Sequence, residues 1–198
     1  MATPDDSRER VLAAATRLFA ERGYDGTTTR EIGKASGLNI ATVAYHVGSK
    51  AELYREVMRR AYTREMAALT DAVGELAAAG DLVAGARLLV GRYLDFCLAN
   101  PEIPALWMRR WLADAAEVGE PEAEYAWPLA GLVLEAFSAR GRDVQMALWT
   151  VTWSIHGFCR GGIIEPDGRR HGPGDQATVD RYRAHLDTLV TALLTETP

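Results

Sequence analysis

The feature that most constrains this chain is its punctuation: in the first fifty residues each apolar-periodic run opens on a helix-capping residue and closes on a glycine. Over residues 8–22, Val11, Leu12, Ala15, Leu18 and Phe19 fall on one face of a 3.6-residue period, behind the candidate caps Asp6 and Ser7 and ahead of Gly23. Thr28 and Glu31 have the spacing of a capping box, which predicts a second helix with Ile32 and Ala35 facing inward and Gly37 as its stop. Asn39 is positioned to cap a third helix ending near Val47, and Gly48 breaks it. Ser49 with Glu52 forms a second box, opening a long helix that carries Leu53, Tyr54, Val57, Met58 and Ala61.

Beyond residue 81 the pattern stays helical with weaker stops. Residues 82–99 are amphipathic and end at Asn100-Pro101, and 103–116 reads as a short helix rich in tryptophan. Segment 119–140 holds Pro121 and Pro128 and reads equally as one kinked helix or as two pieces. Residues 144–158 are apolar on nearly all sides, as in a helix buried from more than one direction, and end in a frayed stretch with Gly157, Arg160, Gly161 and Gly162. Residues 165–175 read as a loop, and a last helix is expected over about 177–194. No alternating strand pattern appears. The expected fold is all-α: a three-helix head over 1–50 and a larger helical domain over 51–198, connected by a helix from 49 to about 72.

Composition limits the function classes. The 198 residues are 48% apolar and 25% charged, the balance of a folded globular protein rather than a disordered or low-complexity one. No run approaches the eighteen apolar residues of a membrane span, and MATPDDSRER lacks the basic, then apolar, order of a signal peptide. Cys97 and Cys159 are too few for a disulfide scaffold. A cytoplasmic protein without a membrane partner is expected. The net charge of −5 hides an asymmetry: residues 1–60 hold ten Lys/Arg against eight Asp/Glu, and the remainder twelve against nineteen. A mildly basic head on an acidic body suits a small DNA-binding module attached to something kept away from phosphate.

The second helix, the turn at Gly37-Leu38 and the third helix together make a helix-turn-helix. Ile32, Ala35, Leu38 and Val43 are expected to lock it, with small Ala35 allowing close approach. The outer face of the third helix, Ile40, Ala41, Thr42, Tyr45 and His46, would then enter a major groove. The helix starts at 28 and 49 aim free N–H groups at phosphates, helped by Arg30 and Lys50. Residues 19–57, FAERGYDGTTTREIGKASGLNIATVAYHVGSKAELYREV, resemble without a gap the DNA-binding domain of TetR-family transcriptional regulators. Gly23, Tyr24, Thr28, Thr29, Ile32, Gly37, Thr42, Val43, His46, Ser49, Lys50 and Leu53 match the family pattern. Gly33 and Ser36 stand where alanines are common, Ala44 where a tyrosine commonly touches the DNA backbone, and Val47 where phenylalanine is usual.

The resemblance implies a TetR-like fold and DNA contacts at Thr29, Arg30, Ile40, Ala41, Thr42, Tyr45, His46 and Lys50. Thr28 and Asn39 are counted with them, Thr28 chiefly for its cap. Arg30 is the candidate for a base edge, Ile40 and Ala41 for apolar contact, and the others for phosphate. Arg55, Arg59 and Arg60 read as a solvated face. The resemblance also implies a homodimer on a palindromic operator, with a seam drawn from Val144, Leu148, Val151 and Ile155 and from Val179, Tyr182, Leu186, Leu189 and Leu193. All five tryptophans follow residue 100. Tyr93, Phe96, Trp107, Trp111, Tyr125, Trp149, Trp153 and His156 suit either an aromatic core or a pocket for a flat or greasy effector, with Thr152 and Ser154 as further polar points; a lipophilic cation is among the effectors such a pocket suits, since indoles attract cations and this half is acidic. No Walker loop, GxGxxG or GxSxG is present, and His156 and Cys159 lack further ligands at metal spacing, so no catalytic centre, cofactor or metal is expected. The expected function is a ligand-responsive regulator, a repressor released from its operator by a small hydrophobic effector. The alternative is a small-molecule-binding or catalytic helical protein with a vestigial head.

Overall fold

A computed structural model describes residues 4–78, 80–112, 114–119, 122–137 and 143–195. The described chain forms the helices α1 (Pro4–Arg22), α2 (Thr29–Ser36), α3 (Ile40–Val47), α4 (Lys50–Ala78), α5 (Leu82–Ala99), α6 (Glu102–Trp111), α7 (Trp127–Ala136), α8 (Val144–Gly161) and α9 (Gln176–Thr195). The all-α class holds. None of these helices is long and apolar enough to cross a membrane.

The local punctuation works as the residue types dictate. Thr28 Oγ1 accepts from the Glu31 amide at 3.2 Å while the Glu31 carboxylate accepts from the Thr28 amide at 2.9 Å. Ser49 and Glu52 repeat the exchange at 3.2 and 2.8 Å, and Asn39 Oδ1 accepts from the Thr42 amide at 2.8 Å. Gly37, the residue after α2, has φ 71°, a left-handed conformation that a Cβ would strain.

Several expectations are corrected. Ala35 is exposed; Gly33 and Ser36 face inward with Ile32 instead. Gly33 is the residue of close approach, since a Cβ there would stand 2.9 Å from the Leu38 carbonyl. The tryptophan-rich helix stops at Trp111 rather than reaching 116, because Ala115 takes a left-handed φ of 59° and the Arg110 guanidinium draws the Ala115 and Gly119 carbonyls inward. In 119–140 a π-helical turn (Glu122–Ala126) leads directly into α7, where Pro128 sits in the first turn and displaces no needed N–H. Helix α8 is not buried all round: Met146 is 62% exposed and Trp153 40%. It also continues to Gly161 instead of fraying after 158. The segment expected as loop contains half of a two-residue ladder, β1 (Ile163–Ile164) paired with β2 (Arg170–His171). Gly162 lets this hairpin close, since a Cβ there would lie 2.1 Å from the His171 carbonyl oxygen.

Two hydrophobic clusters fill the molecule. One joins Phe19, Ile32, Val43, Tyr54 and Met58 of α1–α4 to Ile103, Leu106 and Trp107 of α6. The other joins Leu69 of α4 to Leu94, Val133, Ile155 and Leu186 on α5, α7, α8 and α9. The changeover falls inside α4, after Ala61, and α6 packs with the head. A rod shared by both clusters and a second helix touching the head are the features that matter for function.

Candidate nucleic-acid interface and buried cavity

Helix α3 buries Val43 and turns most of its other side chains outward. Ile40 is 49% exposed and Tyr45 86%, with Ala41 exposed and Thr42 and His46 half-buried. Two large apolar groups held in water on an eight-residue helix add little to the core of the chain itself. Asn39 and Thr42 are partly committed, since Asn39 Oδ1 caps α3 and also accepts from Thr42 Oγ1 at 3.0 Å. Tyr45 and His46 rings meet edge to face at 5.2 Å. Ala44, the departure from the family pattern, is exposed beside them.

The head's cations divide into spent and unspent. Arg55 and Arg59 are exposed and Arg60 partly so, as the sequence suggested, but all three are engaged within the chain. Arg59 and Arg60 both bind Glu56, Arg60 also forks onto Glu9 of α1 at 2.7 Å, and Arg55 donates to the Val118 carbonyl. Three guanidinium groups, from Arg59, Arg60 and Arg8, hold the Glu56 carboxyl down at about pKa 2. Arg8 and Arg22 are likewise paired. The side chains of Arg30 and Lys34, four apart on α2, make no ion pair or hydrogen bond with the described residues. The Lys50 ammonium stands 4.0 Å over the Tyr24 ring, a contact that fixes its position without neutralising it. Lys34 escaped the sequence reading, although its i+4 relation to Arg30 was visible. The carboxylates of Glu31 and Glu52 occupy the starts of α2 and α4, so phosphate attraction there falls on Arg30 and Lys50 more than on bare N–H groups.

Behind the head, helices α4 to α9 line a cavity of about 140 Å³. Tyr93, Trp107, Trp111, Trp149 and His156 line it, together with Thr152; Phe96 and Trp153 do not, and the Tyr125 side chain lies outside the described ones. Phe96 packs between the two clusters, Trp153 leans on Trp111 from outside at 5.0 Å, and Ser154 hydrogen-bonds Tyr182 instead. The seam residues Val151, Ile155, Val179, Tyr182 and Leu186 are buried within the single chain, Leu189 packs on that core, and Val144, Leu148 and Leu193 line the cavity.

One polar cluster interrupts the apolar wall. The His156 ring is fully buried, stacks on Trp111 at 5.0 Å and 6°, and shares a 2.6 Å hydrogen bond between Nε2 and the Tyr93 hydroxyl. Burial keeps it neutral, with its pKa lowered to about 3. Glu65 of α4 accepts from Trp107 Nε1 at 3.3 Å and contacts the Tyr93 hydroxyl, and burial raises its pKa to about 7. Cys159 lies against Cys97. Sequence reading missed Glu65. The signal was there: Met58, Ala61, Leu69 and Ala72 define one face of α4, and Glu65 is the charged residue on it.

Helix α6 connects cavity and head. Trp107 and Trp111 line the cavity, while Arg109 on the same helix donates to the carbonyls of Ala20 and Glu21 at the end of α1. Just beyond α6, the Asp114 carboxylate accepts from the Tyr24 and Asp25 amides at 2.6 and 3.1 Å. Gly23 admits that carboxylate, since a Cβ there would stand 2.9 Å from Asp114 Oδ2.

Residues 11–57 match the family model described as bacterial regulatory proteins, tetR family. The N-terminal head is a TetR-family helix-turn-helix domain. The HTH-type transcriptional repressor AcnR of Corynebacterium glutamicum is 38% identical over 56 residues, which are 28% of this chain and 30% of that repressor. The chain therefore matches less than a third of that curated relative's length. Likeness of fold extends further. PfmR, a TetR-family regulator of Thermus thermophilus, superposes with TM-score 0.69 over 100% of this chain and 98% of its own, at 19% identity. AibR, crystallised with isovaleryl coenzyme A and operator DNA, superposes with TM-score 0.71 over 96% of this chain and 100% of its own, at 18% identity. The TetR-family head is thus followed by the helical body seen in solved regulators of that fold.

Proposed function

We propose that this protein is an effector-responsive, DNA-binding transcriptional regulator, acting as a repressor released from a palindromic operator when a small hydrophobic molecule enters the cavity. The observation that carries the reading is the surface of α3. Ile40 and Tyr45 are held in water on a rigid short helix, flanked by the unspent charges of Arg30, Lys34 and Lys50, while arginines on α1 and α4 are consumed internally. Apolar tips for base edges and thymine methyls, ringed by phosphate-seeking cations, make a major-groove surface. The named role of AcnR as a repressor, and the joint ligand and operator complex of AibR, support the same reading.

One such helix covers too little DNA for tight specific binding, so two copies are required. The exposed outer stripe of α8, Met146, Thr150 and Trp153, and the small exposed residues Ala177, Ala184 and Thr188 of α9 supply a face for the second copy. The inner residues of both helices are already used within the chain. The dimer would set its α3 helices about 34–36 Å apart, one DNA turn.

Release follows from the joint at α6. A ligand that wedges against Trp107 and Trp111 shifts α6, and Arg109 and Asp114 carry the shift to the end of α1. The ligand can favour the released state only as far as it binds that state better, on the order of 1–3 kcal/mol of coupling. The test is fluorescence anisotropy on DNA flanking the protein's own gene at several salt concentrations. Specific binding that weakens steeply with salt is expected, and salt-independent or absent binding refutes the reading.

A further inference from the structure

We infer that the cavity is an ammonium site, taking a small amine on an apolar, ring-sized body with Glu65 as its counter-ion. The inference rests on the reading of the cavity as an effector site and gives that effector a chemical class.

Glu65 is a carboxylate without a cation. Among the described residues it accepts a hydrogen bond from Trp107 Nε1–H and has the Tyr93 hydroxyl nearby, both neutral groups, and no Lys or Arg lines the cavity. A buried carboxylate left unpaired is costly unless it is protonated or meets a positive charge. The ionisable groups around it are Tyr62 on α4, Tyr93 and Cys97 on α5, and His156 and Cys159 on α8, while α6 presents Trp107 and Trp111. Burial holds Tyr93 well above its ordinary pKa, the hydrogen bond with Cys159 and then burial do the same for Cys97, and burial holds His156 below its own, so none of these supplies a positive charge near neutral pH. Without a ligand Glu65 keeps its proton up to about pH 7; once ionised, it takes its counter-charge from the occupant.

The hydrogen-bond directions agree. In the tautomer that carries its proton on Nε2, His156 donates to the Tyr93 oxygen at 2.6 Å, which leaves the hydroxyl proton free to turn toward an ionised Glu65. That tautomer leaves His156 Nδ1 as a lone-pair acceptor, and Nδ1 is buried with no partner among the described residues. The cavity thus offers two acceptors, and an ammonium brings two or three donors. Indole and phenol rings beside them favour a cation over a neutral amide. The Trp111 Nε1–H is also buried with no partner among the described residues, and a hydroxyl on the same ligand would satisfy it. Size sets the body: about 140 Å³ is close to an engineered cavity of roughly 150 Å³ that admits benzene.

The experiment titrates the full chain with benzylamine, benzyl alcohol and benzoate, following tryptophan fluorescence from Trp107, Trp111 and Trp149 and the heat of binding. A charge-assisted bond predicts that at pH 8 benzylamine binds about tenfold to a hundredfold more tightly than benzyl alcohol. That advantage shrinks toward pH 5 as Glu65 takes up its proton, because its pKa lies at about 7. At neutral pH benzylamine binding releases protons, read from heats in buffers of different ionisation enthalpy, and Glu65→Gln abolishes both the preference and the release. The wild-type pH dependence and proton release carry the test alone if the variant does not fold. Equal affinities for amine and alcohol, or tighter benzoate binding, overturn the assignment while saturable binding leaves the effector site standing. Absence of binding by all three overturns the assignment together with its size argument, and operator binding still judges the regulator reading by itself.

Discussion

Replacing Glu65 by Gln should stabilise the ligand-free protein at neutral pH, by an amount the structure sets. Burial raises the Glu65 pKa from 4.5 to about 7, roughly 2.5 units, and each unit is worth about 1.4 kcal/mol, giving about 3 kcal/mol. The sign follows from proton counting. Between pH 4.5 and 7 the unfolded chain has released the Glu65 proton and the folded chain has kept it, so stability from this group falls as pH rises through that window and is flat above it. His156 acts in the opposite direction: its pKa drops from 6.5 to about 3, so the folded chain lacks a proton the unfolded chain holds, and stability rises across that range. The two slopes overlap and mask each other in the wild type alone. The difference between Glu65→Gln and wild type cancels the histidine and isolates the glutamate, since glutamine still offers an oxygen to Trp107 Nε1–H. Urea unfolding from pH 4.5 to 8 measures it. The variant should gain about 3 kcal/mol relative to wild type between pH 4.5 and 7 and nothing further above. Parallel curves would falsify the claim that this carboxylate is buried without a cation.

Other expectations follow from the same geometry. Thr28→Ala removes one arm of the first capping box and should cost about 1 kcal/mol in thermal or urea unfolding. Tyr45→Ala should leave the melting temperature unchanged, because the side chain is 86% exposed, yet weaken operator binding in anisotropy. Arg30→Ala should cost roughly 1–3 kcal/mol on the cognate site, whereas Lys50→Ala should weaken all sequences alike and lower the salt slope by about one. Asp114→Ala frees the Tyr24 and Asp25 amides, so an effector should still bind while its influence on DNA affinity collapses.

What could be read from the sequence was what neighbouring residues decide among themselves. The boxes at Thr28/Glu31 and Ser49/Glu52 close over three residues, and Gly37 and Gly48 stop helices locally, so α2, α3 and the start of α4 were legible to within a residue. The phase of α2 was not. Eight residues make barely two turns, and packing against α1 and α3 chose Gly33 and Ser36 over Ala35 as the inner positions. Arg60 looked solvated because its partner Glu9 lies 51 positions away. The aromatic cavity was legible as a class from its i,i+4 tryptophan pairs, but which rings face in is settled by the packing of α5 and α8, which leaves Phe96 and Trp153 out of the lining. Outward Trp153 and inward Val151 on α8 could not be separated by a pattern apolar on every side. Asp114 gave no signal, since its role exists only once α6 lies against α1.

The central claim is that α3, in duplicate, reads adjacent major grooves on one face of the duplex. Hydroxyl-radical footprinting of the full-length protein on DNA upstream of its own gene tests it most directly. Two protected patches about one helical turn apart, related by a two-fold and both lost in Tyr45→Ala, are the expected result. A single patch, or protection that survives that substitution unchanged, contradicts it.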